Sequence, residues 1–137
     1  HQTIWALYLE KNKITDIGVV ADLPKLVALY LDDNQVKDIS VLAKLPKLER
    51  IGLTRNQITD VAPLAASIYW KYLFLEENQI GDLAPLVEMI KKDLAERKRF
   101  APFVRVYLEG NPLSDAGKTQ LEELKGLGVR LESTKKK

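Results

Sequence analysis

Asparagine recurs in this chain at a fixed interval: Asn12, Asn34, Asn56 and Asn78 are spaced by 22 residues, and Asn111 follows after 33. A period of that length restricts the fold more than any single motif, because each unit is too short to bury an apolar face alone and must be covered by its neighbours. The flanking residues keep the same register. Five before each Asn stand Leu7, Leu29, Ile51, Leu73 and Val106, and three before stand Leu9, Leu31, Leu53, Leu75 and Leu108. Two after come Ile14, Val36, Ile58, Ile80 and Leu113, and four after come Asp16, Asp38, Asp60, Asp82 and Asp115. Val20, Leu42, Leu64 and Leu86 close the first four units.

Each position has a physical task. Leu7-Tyr8-Leu9 is a short strand with two inward apolar residues around one outward residue, and copies stacked in parallel form one sheet. Where the chain leaves the strand, its amides and carbonyls need partners inside the coil. Asn supplies both a donor and an acceptor, so an Asn column is expected. Asp16 and its equivalents stand before an apolar pair and read as N-caps of a short helical return. Pro63 and Pro85 fall in the first turn of that return, where a missing N–H does no harm. All these columns read as scaffold.

The unit VALYLDDNQVKDISVLAKLPKL resembles the 22-residue leucine-rich repeat of bacterial internalin-type proteins and of eukaryotic phosphatase-regulatory repeats, over about residues 4–116. The resemblance implies an α/β leucine-rich repeat solenoid, a right-handed superhelix with a parallel β-sheet on its concave face and short 3-10 or α helices on its convex face. It also implies exported or cell-surface use in bacteria, or intracellular regulatory use in eukaryotes. The Asp-Ile and Leu-Pro usage leans towards the bacterial kind.

Three departures refine the expectation. Ser67-Ile68-Tyr69-Trp70 replaces the usual Leu-Pro-x-Leu, which puts Trp70 in the register of Leu26 and Leu48 and marks it as core. The interval from Asn78 to Asn111 is longer by 11 residues, about three helical turns. Leu86, Ile90 and Leu94 then predict an elongated amphipathic helix over about 84–98, ended by Pro102. Its basic residues Lys91, Lys92, Arg97, Lys98 and Arg99 interleave with Glu88, Asp93 and Glu96, which reads as a solvated face. After Asn111, Ser114 to Gly126 predicts a terminal helix over about 115–126, with Val129-Arg130-Leu131 as an edge strand. The domain is expected to span 1–132, with five repeats, a C-terminal cap over about 114–132 and a disordered 133–137 tail. No comparable cap is visible at the N-terminal side. Either the natural protein extends upstream or the first repeat is partly exposed.

With the Leu positions inward, the residues six, four and two before each Asn face outward. The middle column is Tyr8, Tyr30, Gly52, Phe74 and Tyr107; the following one is Glu10, Asp32, Thr54, Glu76 and Glu109. The preceding one is Ala6, Ala28, Arg50, Tyr72 and Arg105. Repeated aromatics on an exposed face are common at recognition surfaces, although cross-strand stacking also favours them. The expected contacts of a protein partner are therefore Tyr8, Tyr30, Tyr72, Phe74 and Tyr107 as anchors and Glu10, Asp32, Arg50, Glu76, Arg105 and Glu109 as polar selectors. Gly52 beside Arg50 is expected to leave a notch for a partner side chain.

Composition removes other classes. Cysteine is absent and the sole histidine is His1, so thiolate chemistry, disulfides and buried imidazole sites are excluded. The net charge of +2 includes the lysines Lys135, Lys136 and Lys137, which leaves a body of −1 and no polyanion-binding excess. No cofactor, metal, phosphate-loop or dinucleotide motif is present, and no apolar run is long enough to span a membrane. Hydrolysis by Glu76 and Glu109 would need an enclosed cleft that an open sheet does not imply. The expected role is thus a non-enzymatic protein-binding module, monomeric or dimeric through its edge, with no nucleic-acid ligand. Glycan binding by the same aromatics, or service as a rigid spacer in a larger surface protein, are the alternatives.

Overall fold

The computed structural model describes residues 3–96 and 104–132. The Leu-x-Leu alternations become three-residue strands: β1 (Ala6–Tyr8), β2 (Ala28–Tyr30), β3 (Arg50–Gly52), β4 (Tyr72–Phe74), β5 (Arg105–Tyr107) and β6 (Arg130–Glu132). All pair in parallel, in chain order, forming one sheet. The first three returns are 3-10 turns at Gly18–Asp22, Ser40–Lys44 and Ala62–Ala66. The fourth lengthens into helix α1 (Ala84–Glu96), and α2 (Asp115–Gly126) closes the stack before β6. These bounds agree with the expected elongated and terminal helices; 97–98 of the first, Arg99 and the 133–137 tail lie outside the described residues.

Between sheet and returns runs one apolar core. Leu29, Leu31, Leu48, Ile51, Leu53, Leu73 and Leu75 are fully buried, as the inward register requires. Trp70 is 1% exposed, and its indole N–H donates to the Leu64 carbonyl at 2.7 Å, which satisfies the one polar atom of the slot filler. The first repeat is less covered: Leu7 and Leu9 are only half-buried, and Trp5 is 70% exposed.

The asparagines join repeats pairwise. Asn56 Nδ2 donates to the carbonyls of Leu31 in the preceding repeat and Leu53 in its own, at 2.9 and 3.1 Å, while its Oδ1 accepts from Val36 N–H at 2.9 Å. Asn34, Asn78 and Asn111 make equivalent reaches. Asn12 bonds only carbonyls of its own repeat, Leu9 and Glu10.

The aspartates need one correction. Asp16, Asp38, Asp60 and Asp82 each accept from the backbone N–H two residues on, at 2.8 to 2.9 Å. Those bonds close a local side-chain turn one residue earlier than a cap, because the cap position of each 3-10 turn is the apolar residue that follows, Ile17, Ile39 or Val61. In the fifth repeat the cap is Ser114, which accepts from Gly117 N–H at 3.0 Å. Asp115 is instead the first helical residue, where its charge complements the helix dipole.

Helix α1 also differs from its expected solvated face. Asp93 is 1% exposed, because it falls four residues after the buried Met89 and continues the stripe of Leu86, Val87 and Ile90. Lys91 is tied across to α2 by Glu123 at 2.7 Å, which raises its pKa through that bond.

One column escaped the sequence reading. The residue before each Asn adopts a left-handed conformation: Lys11, Asp33, Arg55 and Glu77 have φ of 59°, 60°, 58° and 54°, and Gly110 has 80°. A side chain at positive φ carries strain, so four non-glycine residues there need a compensating interaction. Their charges alternate along the stack. Arg55 Nη2 bonds Asp33 Oδ2 at 2.9 Å, Arg55 Nε bonds Asp33 as well, and Arg55 Nη1 meets Glu77 at 3.3 Å.

Candidate partner-binding face

The parallel register places Tyr8, Tyr30, Gly52, Phe74, Tyr107 and Glu132 in one row across the sheet. Strand pairing lifts the rings towards solvent and brings them into contact. Tyr8 and Tyr30 stack with centroids 5.1 Å apart, Phe74 and Tyr107 with centroids 4.7 Å apart, and Tyr72 stacks on Phe74 at 5.6 Å. Tyr8 is 66% exposed; Tyr30, Tyr72, Phe74 and Tyr107 are half-buried by one another and by their neighbours. Burial first, and then the nearby Glu132 carboxylate, push the Tyr107 phenol above its usual pKa. It therefore stays a neutral hydroxyl at ordinary pH.

Gly52 does not leave the expected notch. A Cβ built there would lie 2.7 Å from Asp32 Oδ1 and 2.8 Å from Tyr30 Cδ1, so these side chains already lean over the glycine and fill the space. The consequence is a split in the aromatic row, with Tyr8 and Tyr30 on one side and Tyr72, Phe74 and Tyr107 on the other.

The acidic column is partly withdrawn from solvent. Glu76 is 5% exposed, and its Oε1 accepts the Thr54 hydroxyl at 2.8 Å, so the expected polar selector is committed to an internal bond. Asp32 is half-buried and accepts Thr54 N–H at 3.1 Å. Desolvation raises its pKa above the ordinary carboxylate value, and the negative charges of Glu10, Glu76 and Asp33 push the same way. Glu10 is exposed and Glu109 half-buried.

The opposite column is basic. Arg50 and Arg105 both lie over the Tyr72 ring, with Cζ to centroid distances of 5.6 and 5.7 Å, a cation–π arrangement on one aromatic. Arg130 on β6 extends this column beyond the residues that the repeat identified, because no asparagine marks the last strand. Arg105 approaches Glu132 at 3.9 Å. One residue further out, Lys71 and Glu49 pair at 3.1 Å.

No group of three or more His, Cys, Asp or Glu side chains able to hold a metal ion occurs among the described residues. The described helices include none long and apolar enough to cross a membrane.

Short parallel strands, an asparagine ladder and alternating returns define a leucine-rich repeat solenoid. The family model for leucine-rich repeats in two copies matches residues 6–44 and 24–66. Internalin C2 from Listeria monocytogenes is 31% identical, with a TM-score of 0.76, over 95% of this chain and 51% of its own. A second Listeria monocytogenes internalin, inlF, is 27% identical with a TM-score of 0.71, over 90% of this chain and 32% of that one. A leucine-rich repeat protein of Leptospira interrogans, at 21% identity and a TM-score of 0.73, shares the fold over 93% of this chain and 30% of its own. The chain carries leucine-rich repeats in the solenoid fold and is similar to the Listeria internalins. It spans about half of internalin C2 and about a third of inlF. No curated protein sequence matches it. The leucine-rich repeat fold is typical of protein–protein interaction modules.

Proposed function

We propose that the chain is a non-enzymatic protein-binding module that docks its partner on the outward sheet face. Tyr8, Tyr30, Tyr72, Phe74 and Tyr107 are the anchors, and Glu10, Asp32, Arg50, Arg105 and Glu109 the polar selectors. Glu76 is left out because its carboxylate is spent on Thr54. By likeness to the Listeria internalins, we place the module at the surface of a bacterium or among its exported proteins. The observation that carries the reading is the pair of ring clusters on the one face not covered by helices or turns, since apolar area held in water is costly unless something else covers it.

Ring geometry favours a protein over a glycan. Sugars stack on open ring faces, whereas Tyr30, Phe74 and Tyr72 turn faces towards other rings and offer mainly edges and hydroxyls. Edges and hydroxyls suit the packed, donor-rich contacts of a protein surface.

A protein array and a glycan array probed with the chain and with a Tyr30→Ser/Tyr107→Ser variant of unchanged circular dichroism test the reading. The expected result is a protein hit that the variant loses. Glycan hits alone would overturn it in favour of carbohydrate binding, and silence on both arrays in favour of a spacer.

A further inference from the structure

The two columns flanking the aromatic row each carry one sign of charge, and the columns beyond them are neutralised internally. On the strand-entry side stand Arg50, Arg105 and Arg130 with no acidic member; on the strand-exit side stand Glu10, Asp32 and Glu109 with no basic member. Outside these, Lys71 pairs with Glu49, and Arg55 pairs with Asp33 and Glu77. The sheet face is therefore polar across its width. Its poles lie four residues apart along a strand, about 13 Å at roughly 3.3 Å per residue.

The basic pole has a defined centre. Arg50 and Arg105 flank Tyr72 from neighbouring strands, and the Arg50 guanidinium has neither a hydrogen-bond nor an ion-pair partner among the described residues. Arg105 already approaches Glu132 at 3.9 Å, whereas the Arg50 guanidinium keeps its planar N–H donors open to an anion. At the acidic pole, Asp32 is half-buried against Glu10 and Glu76, and burial first, then those negative charges, raise its pKa.

We propose that the partner binds this face in one orientation, seating an acidic side chain at Arg50 and Arg105 beside Tyr72 while a basic side chain roughly 13–14 Å away meets Glu109, along the strand from Arg105, or Asp32, one strand out from Arg50. The partner is thus a protein segment that carries opposite charges on the two sides of an apolar or aromatic centre. In an extended segment these are alternate residues, acid, aromatic and base at i, i+2 and i+4. The proposal rests on the reading that the sheet face is the docking surface, and it adds the chemistry that selects and orients the partner.

Three blocked peptides test it, each with Tyr at the centre and Thr at the intervening positions: Asp and Lys at the ends, Asp at both ends, or Lys at both ends. Binding is followed by NMR titration at low salt. The mixed peptide is expected to bind about fivefold more tightly than either uniform one, as two exposed ion pairs of ordinary strength allow, with the difference fading at roughly 0.5 M salt. An Arg50→Glu/Arg105→Glu variant should lose about fivefold for the mixed peptide and gain for the Lys peptide. Arg50→Gln/Arg105→Gln, which removes charge without inverting it, should fall between. A nitroxide beside the peptide aspartate should broaden amide signals at Arg50 and Arg105 more strongly than those at Glu10 and Glu109. Equal affinity for the three peptides, indifference to both Arg variants, stronger broadening at the acidic edge than at the basic one or no binding at millimolar peptide would each overturn the proposal. Binding lost in Tyr8→Ser/Tyr107→Ser but unchanged in the Arg variants would reject the charge orientation while leaving the sheet face as the docking surface.

Discussion

Gly117 offers a sharp test because two physical rules give opposite signs for one substitution. It is the third residue of α2, and Gly to Ala inside a helix ordinarily stabilises by about 1 kcal/mol. Here the new Cβ would lie 2.2 Å from the Gly81 carbonyl oxygen, a backbone atom that has no rotamer to escape into. Reaching even 3.0 Å requires the start of α2 to withdraw by about 0.8 Å from the turn after β4. That turn is held by Ser114, whose Oγ and N–H both donate to Gly81 O, at 3.0 and 3.1 Å. A withdrawal of that size stretches both to about 3.8 and 3.9 Å, past hydrogen-bonding range. Two bonds at about 1 kcal/mol each, with overpacking strain of about 1–3 kcal/mol and the helix-propensity gain set against them, leave Gly117→Ala destabilising by about 2–4 kcal/mol. Urea unfolding followed by circular dichroism measures it. Gly126→Ala at the other end of the same helix is the control: nothing lies within 4 Å of its built Cβ, so it should be neutral or stabilising by up to about 1 kcal/mol. If Gly117→Ala proves as stable as the parent, the account of α2 as a closely seated lid on the stack is wrong.

Other expectations follow from the same contacts. Asn56→Ala should cost about 2–4 kcal/mol in urea unfolding, since it strips buried groups of Leu31, Leu53 and Val36 of a partner, whereas Asn12→Ala at the exposed edge should cost below about 1 kcal/mol. The raised pKa of Asp32 means that its folded state prefers the protonated form, so the stability it contributes is present at low pH and lost as pH rises through that pKa. Asp32→Asn should accordingly be more stable than the parent at pH 7, with the difference gone well below the ordinary carboxylate range. Asp33, held down by its bond to Arg55, has the opposite sign: its contribution is present at neutral pH and lost on acidification, and Arg55→Met should flatten that part of the acid-unfolding curve. Acrylamide should quench the emission of Trp5 and leave that of Trp70 nearly untouched, so that Trp5→Phe removes the red-shifted, quenchable component.

The repeat made most of the architecture legible in the sequence. Period-two alternation fixes which side chains point inward, and the buried state of Leu29, Ile51 and Leu73 follows from it. The far end of α2 was legible from Gly126 through stop chemistry, whereas its cap is Ser114, one residue before the aspartate that the repeat pattern marked as the cap. Lateral lean was not. Column membership says that Tyr30 points outward but not that its ring bends over the neighbouring Gly52, nor that Glu76 folds back onto Thr54. Both depend on contacts between residues 22 apart, where strands lie about 4.8 Å from each other and side chains settle against whatever the adjacent column leaves open. Asp93 was misassigned for a related reason: helical charge patterning reports the average face, while burial depends on which turn packs against the returns beside it. The left-handed column had a visible signal in the alternating signs of Lys11, Asp33, Arg55 and Glu77, but backbone conformation gives it meaning.

That alternation bears on how such an array can change in length. Removing the single repeat around Arg55 would bring Asp33 against Glu77, two acids where a cation had bridged them, and duplicating one repeat would set like beside like. Loss or gain of two consecutive repeats preserves the sequence of signs. The unit that recombination can copy or delete without electrostatic penalty at this column is therefore 44 residues, twice the structural period.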